Sequence, residues 1–393
     1  MNRLNRYIMN LTGEIGGARY ATQSALLPGP GAVAHRQPQS MEQGVAADYD
    51  RRLFVTPAPV YQRVFTKLQR WKGADRDDSI RSSDRALGNH GAHLSPVNQV
   101  LRLAGEHGVG KTWLLRHLAE DEDQVAPAAV YLDLLKRYEF PTPEGFCDAV
   151  QRQIGLQCGP QSAILLLDSV PLHLDDHLRA LENLVLRPHL SQRGSMAIMA
   201  LNHPSRDGWR APMLRGGESL WLHSFGQPQT RSQLQSLEKA GQVKVRLKAA
   251  AVQDRSGGLP LLNYLFTQWE QGQAFELFLE HIFSQIPARD RATVRSYLDA
   301  VCVLESLEHA SIEGALRVYH HCQPRAGEYL PHAGQVRNAL REHWLARSSP
   351  ELPGRIVLVE SVRRAAREAL QARAPSLYVA MNESAHGTRG GKL

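Results

Sequence analysis

The sequence predicts an α/β fold: a parallel sheet with helices on both faces, followed by a small helical domain and a unit of three helices closed by a short strand pair. Two observations predict it. Between residues 100 and 225, short apolar runs alternate with helix-length amphipathic stretches, and the runs are apolar at successive positions, the pattern of strands buried on both faces. A glycine-rich segment stands directly between the first such run and the first such helix.

The elements follow in order. Val100 to Ala104 reads as a strand, Lys111 to Ala119 as a helix, Ala128 to Leu134 as a strand and Pro143 to Ile154 as a helix. The apolar strand Ala163 to Asp168 comes next, then a helix over Leu174 to Leu186, the strand Ser195 to Leu201 and a last strand, Ser219 to Phe225. Beyond it the strand pattern fades, and helices are expected over Thr230 to Ala240, Pro260 to Gln271 and Ala274 to Ile286. After Pro287 come helices over Arg289 to Leu304, Ser311 to His321 and Gln335 to His343. A turn at Pro353-Gly354, the β-branched run Ile356 to Val359 and a helix over Glu360 to Ala372 follow. Before the sheet, Val60, Val64, Phe65, Leu68 and Trp71 recur at helical spacing, and the polar run Gly73 to Asn98 reads as a loop.

These shifts divide the chain into a mobile arm, 1–50, rich in Gly, Gln, Ala and Pro; the sheet domain, 51–225; a helical domain, 226–286; a winged helix, 287–380; and a flexible tail, 381–393. At 393 residues, 42% hydrophobic and 22% charged, the chain is long enough for more than one core and ordinary in composition for a globular protein. A net charge of +7 is compatible with an acidic partner without requiring one. Cys147, Cys158, Cys302 and Cys322 show no metal or disulfide spacing and are expected to be reduced thiols in cores. No run is long and apolar enough to cross a membrane, and Met1 to Gly17 lacks a secretory core, so a cytoplasmic location is expected. No GxSxG elbow or HExxH pair points to a hydrolase or metalloprotease, and the histidines, His320 and His321 included, are expected at the surface or in cores.

The segment Gly105-Glu106-His107-Gly108-Val109-Gly110-Lys111-Thr112 matches GxxxxGK[ST], in the strand, loop, helix context that the P-loop requires. Its glycines let backbone N–H groups curl round phosphate oxygens, and the N-terminus of the following helix, whose Trp113, Leu114, Leu115 and Leu118 are expected to face inward, adds a favourable dipole. Lys111 is the expected contact to the β and γ phosphates, and the Thr112 hydroxyl a ligand of Mg²⁺. Asp168 ends an apolar strand and is the expected carboxylate behind that ion. Asn202 and Arg206, just past the strand Ser195 to Leu201, are candidates for sensing the γ-phosphate and stabilising its charge.

Together, the loop running into Lys-Thr-Trp-Leu-Leu-Arg-His-Leu, the strand Tyr131-Leu132-Asp133-Leu134, the Leu-Leu-Leu-Asp-Ser run and Gly257-Gly258-Leu259-Pro260 resemble the STAND class of signal-transduction ATPases, a branch of the AAA+ superfamily. The resemblance covers roughly 51–380, and Gly354 to Arg364 is similar to the end of the winged helix in bacterial members. It implies an ATP/ADP switch with Mg²⁺, a base contact from Pro260, closure of the domains round ADP, and opening and assembly on exchange to ATP. The chain departs from that pattern in three places. Ser169 follows Asp168 where an acid is common, only Arg206 remains as the arginine beyond Asn202, and Val359 and Glu360 stand where many relatives carry a histidine. Slow hydrolysis follows from the first departure.

Two other readings share the nucleotide site. In one, an AAA+ ATPase acts on DNA through its winged helix, with Arg337, Arg341, Arg363, Arg364 and Arg367 along a phosphate-binding face. In the other, bound nucleotide holds a non-hydrolysing scaffold together. Partners expected are nucleotide, a protein or a second copy, and no membrane.

Overall fold

Three strands in the middle of the sheet are buried at every position because each has neighbours on both sides and helices over both faces. A computed structural model describes residues 53–57, 59–69, 99–120, 129–134, 142–158, 164–170, 175–192, 195–201, 209–323, 330–349 and 351–387, all within one compact unit, Gly44–Leu393. The expected arm, 1–50, and most of the expected loop, Gly73 to Asn98, lie outside the described residues.

The sheet has five strands, β1 (Val100–Ala104), β2 (Ala129–Asp133), β3 (Ile164–Asp168), β4 (Met196–Leu201) and β5 (Glu218–Trp221), in the order β2-β3-β4-β1-β5, with all neighbours parallel. β1, β3 and β4 are buried along their whole length, whereas the edge strands β2 and β5 are not. This is the P-loop α/β sheet expected from the sequence. Alternate residues feed two cores: Leu101, Leu103, Leu166 and Ile198 meet Leu114, Leu115 and Leu118, while Leu165, Leu167, Ala197 and Met199 meet Phe146, Val150 and Leu181. Arg102 alone breaks the apolar run of β1, and its Nη2 donates to the carbonyls of Arg215 and Gly217, holding the approach to β5.

In chain order, α1 (59–69) precedes the sheet, α2 (Lys111–Glu120) follows β1, and α3 (Pro143–Cys158) follows β2. After β3 come α4 (Asp175–Ala180), a π-helical segment Leu181–Leu186 and α5 (Arg187–Ser191). The buried Glu182 in the π segment accepts the N–H groups of Arg210 and Ala211, which fixes the path from β4 to α6 (Pro212–Arg215).

Beyond β5, α7 (Gln227–Lys239), α8 (Ala249–Ser256), α9 (Pro260–Gln268) and α10 (Gln271–Ser284) form a helical layer whose apolar side chains join the same core as Leu101 and Leu114. α11 (Ala288–Val301), α12 (His309–Cys322) and α13 (Ala333–Glu342) then lead to an antiparallel pair, β6 (Ala346–Ser348) with β7 (Ile356–Leu358), and to α14 (Glu360–Arg373) and α15 (Pro375–Gly387). α14 is tied back to α10 and α11 by Arg373, whose guanidinium meets Glu276 and, at 2.7 Å, Asp299.

Three expectations are corrected. The expected tail from 381 is helical to Gly387, because α15 continues past the boundary. Cys147 and Cys302 are buried thiols, but Cys322 is exposed at the end of α12 rather than in a core. Trp113 does not join Leu114, Leu115 and Leu118 inside; it is half-buried, on the other side of α2. No helix among the described residues is long and apolar enough to cross a membrane.

Candidate functional site

β1 delivers the glycine-rich loop to the C-terminal edge of the sheet, β3 delivers Asp168 to the same edge, and the cleft between them is roofed by the helices after β5. Of the residues singled out in the sequence, His107, Gly108, Val109, Gly110, Lys111, Thr112, Trp113, Asp168 and Pro260 line this one cleft. Gly105 and Glu106 are not among its lining residues. Asn202 and Arg206 lie outside the described residues, although Ala200, on the strand that leads to them, also lines the cleft.

The loop's shape depends on its glycines. A Cβ on Gly105 would lie 2.8 Å from the carbonyl oxygen of Leu222, so the loop can pass β5 only without a side chain there. Gly110, by contrast, has φ of +99° and nothing within 4 Å of where its Cβ would stand. Backbone conformation alone demands glycine at that position.

Lys111 turns back across the loop. Its Nζ donates to the carbonyls of Gly105 at 2.7 Å and Glu106 at 2.8 Å. Burial pulls its pKa down to about 8, against the opposing pull of Asp168 and Glu106. At neutral pH it remains charged, with an ammonium group whose water has been replaced by two carbonyls.

Asp168 is 5% exposed and held from two sides. The Tyr131 hydroxyl on β2 donates to Oδ2 at 2.8 Å, and the Ser169 N–H donates to Oδ1 at 3.0 Å. Burial and the adjacent carboxylate raise the Tyr131 pKa, so the phenol stays a donor. Arg116 lies over the Tyr131 ring, 5.5 Å from its centroid. Ser169 adopts φ of +56°, a left-handed conformation unusual for serine, at the bend where β3 leaves the sheet. Thr112 and Asp168 thus offer a hydroxyl and a carboxylate to one space, the hard oxygen donors that suit Mg²⁺.

Much of the rest of the lining is apolar, with Leu53, Phe54, Val55 and Pro57 from before α1, Phe225 and Leu237, and Pro260, Leu261 and Tyr264 from α9. Phe54 is fixed by stacking on the His117 ring, centroids 4.2 Å apart. Pro260 is set by a buried polar network: Gly258 N–H donates to Ser256 Oγ (2.9 Å), Ser256 Oγ to Asn263 Oδ1 (2.6 Å), Asn263 Nδ2 to Gln233 Oε1 (2.8 Å), and Gln233 Nε2 to the Pro260 carbonyl (2.9 Å). Gly258 also accepts the Phe225 N–H at 2.8 Å, and a Cβ there would overlap the Phe225 carbonyl. The N–H of Leu261 then donates to the Gly108 carbonyl at 3.1 Å, which joins α9 directly to the loop.

Several residues at the site have a role that the sequence did not assign. Tyr131 orients the carboxylate; Leu53, Phe54, Val55 and Pro57 add to the apolar lining; His281 and Gln285, at the end of α10, line the cleft beside His107. Arg347 on β6 reaches Glu106 of the loop, Nη2 to Oε1 3.5 Å, so the strand pair after α13 touches the loop through a residue that the sequence did not single out.

No family model matches the chain, and no curated protein matches it. Among solved structures it is similar to the Walker-type ATPase PABY2304 of Pyrococcus abyssi, with 13% identity, 68% of this chain and 90% of that one covered, and a TM-score of 0.45. It is also similar to the Orc1 protein of Aeropyrum pernix in complex with DNA, with 15% identity, 86% and 96% covered, and a TM-score of 0.40. A third, AMPPCP-bound DnaA from Aquifex aeolicus, has 14% identity, 67% and 93% covered, and a TM-score of 0.35.

Proposed function

We propose that this protein is an ATP/ADP-binding switch with slow, Mg²⁺-dependent ATPase activity, in which nucleotide state sets how the sheet, the helical layer after β5 and the winged helix hold together. The observation that carries the reading is the loop itself: a glycine-lined bend at the end of β1 with the Lys111 ammonium drawn across it and Asp168 on the neighbouring edge. In this reading the backbone N–H groups of Gly108 to Lys111 bind the inner phosphates, Lys111 the outer ones, and the apolar lining receives the base against Pro260. Thr112 and Asp168 would hold Mg²⁺, which neutralises phosphate charge.

Switching, rather than rapid turnover, is supported by two further features. Ser169 takes the position after Asp168 where an acid would orient water, and its N–H is spent on the Asp168 carboxylate. Contacts from both later parts of the chain end on the loop, Leu261 on the Gly108 carbonyl and Arg347 on Glu106, so a ligand in the loop bears on three structural layers at once. This resembles the STAND arrangement, with a role in signalling or defence.

The DNA reading is less well supported by the arginines of α14. Arg363 pairs with Glu360 at 2.8 Å, Arg364 Nη2 donates to the Asp254 carbonyl at 2.6 Å, and Arg367 Nη2 donates to the Tyr378 hydroxyl at 3.1 Å. These groups are occupied within the fold rather than presented as a phosphate-binding row. The scaffold reading differs from the switch only in phosphate release, and keeps Ser169 as its support.

Calorimetric titration of the native chain and Lys111→Ala with MgATP and MgADP tests the proposal. Removing the ammonium is expected to weaken both nucleotides about 100-fold or more, about 3 kcal/mol. Unchanged affinity in a folded variant overturns it.

A further inference from the structure

A second polar cluster adjoins Lys111, and nothing in the phosphate-loop motif accounts for it. His107 belongs to the loop; His281 and Gln285 come from the end of α10, which packs on the loop so closely that a Cβ on Gly108 would lie 2.8 Å from Phe278 Cε2. The His107 imidazole is 4% exposed; neither ring nitrogen meets a partner in good hydrogen-bond geometry, and the Gln285 amide is its side-chain hydrogen-bonding neighbour. A buried imidazole so weakly partnered is costly, which marks the His107–Gln285 contact as a place where a stronger acceptor would be taken up. His281 Nε2 and Gln285 Nε2 are 3.3 Å apart, and both side chains line the cleft that holds Lys111 and Asp168.

Position identifies the partner. The loop's amides from Gly108 onward curl round the inner phosphates, whereas His107 precedes that curl. His281 lines the same cleft as Lys111 and Asp168 and feels both charges, the pair that would hold the last phosphoryl group and its metal. Burial first, then Lys111, keeps both imidazoles uncharged near neutrality, with pKa values of about 3 for His107 and about 4 for His281. Each neutral ring has one N–H, on Nδ1 in His281, and Gln285 keeps one of its two N–H groups beyond the one facing His281 Nε2. We propose that His107, His281 and Gln285 form the subsite for the terminal phosphate of a nucleoside triphosphate, so that the third phosphate bridges α10 to the loop and a diphosphate does not.

The proposal rests on the nucleotide reading above and adds how the site tells ATP from ADP. Affinities of the native chain, His281→Ala and Gln285→Ala for AMPPCP and for ADP, both with Mg²⁺, test it, with urea unfolding as the check on fold. Each substitution is expected to weaken AMPPCP about tenfold, the worth of one hydrogen bond to a charged group, and to leave ADP within about twofold. AMPPCP, and not ADP, is expected to slow amide exchange across 271–285 in the native chain. Equal losses for both nucleotides, no loss for either, or equal exchange protection by both overturn the proposal while leaving nucleotide binding intact. A native chain that binds neither nucleotide overturns the nucleotide reading itself. Gln285 is half-buried past the last turn of α10, so its variant tests the claim even if His281→Ala does not fold.

Discussion

Gly110→Ala separates the loop's structural demands from its ligand demands. The substitution adds one methyl group at φ of +99°, where an L-residue is strained by about 1–2 kcal/mol. Restricting the unfolded chain returns about 0.4–1 kcal/mol. No protein atom lies within 4 Å of the added carbon, so no packing term enters and the net loss of stability is about 1 kcal/mol. The same open space belongs to the cleft, where the methyl group stands in the way of phosphate oxygens approaching the amides. Urea unfolding and calorimetry with MgATP, run on one preparation, give both numbers. The expected result is a small shift in midpoint together with a loss of affinity of about 100-fold. Gly108→Ala is the contrasting control, since its Cβ would press on Phe278 and Leu261 and its larger cost is structural, about 1–3 kcal/mol beyond backbone strain. Affinity within about threefold of the native chain in Gly110→Ala would refute the idea that phosphate lies against this loop.

Further expectations concern the carboxylate, the interlayer ion pair and pH. In Asp168→Asn, ATP affinity should lose its dependence on Mg²⁺, read as equal binding in magnesium and in EDTA; a retained Mg²⁺ effect would move the metal ligand elsewhere. Arg347→Ala removes a partly exposed pair worth at most about 1 kcal/mol, so stability should barely change while ADP dissociates several-fold faster in stopped-flow; an unchanged rate would leave the β6 contact without a role in nucleotide retention. The pH dependence follows from folded-state pKa values below the ordinary 6.5, about 3 for His107 and about 4 for His281. Below pH 6.5 the unfolded chain takes up protons that the folded chain refuses, so this stabilisation is complete above 6.5 and falls with pH. Between pH 7 and pH 5 it drops by about 2 kcal/mol at the buried His107 and by less at the partly exposed His281. His281→Gln should flatten the stability profile measured by urea unfolding over that range; an unaltered slope would mean that His281 does not contribute.

How far the sequence could be read depends on which part of the protein sets each feature. β1, β3 and β4 announce themselves because burial on two faces leaves no polar position inside them, apart from Arg102, and α2 begins where the loop motif requires. Asp168 is legible as the last residue of such a strand. α8 escaped because AAAVQDRS has little amphipathic contrast and is held by packing and by Gly257 beyond it. A strand pair was expected round the turn at Pro353-Gly354, but β6 had no bounds in the sequence because a three-residue strand cannot show alternation and is held by pairing with β7. The same limit hides Arg347, His281 and Gln285, which are brought to the loop by tertiary packing from far along the chain. His107 was visible as a loop position but not as a buried side chain beside His281 and Gln285, since that depends on what α10 places around it.

The central claim is that the cradle formed by the loop and Lys111 binds a nucleotide's phosphate chain, and calorimetry of the native protein with ATP, with and without Mg²⁺, addresses it most directly. Saturable binding at one site per chain, tightened by Mg²⁺ and competed by ADP, is the expected result. No binding up to about 1 mM ATP, by a protein shown to be folded, would contradict it.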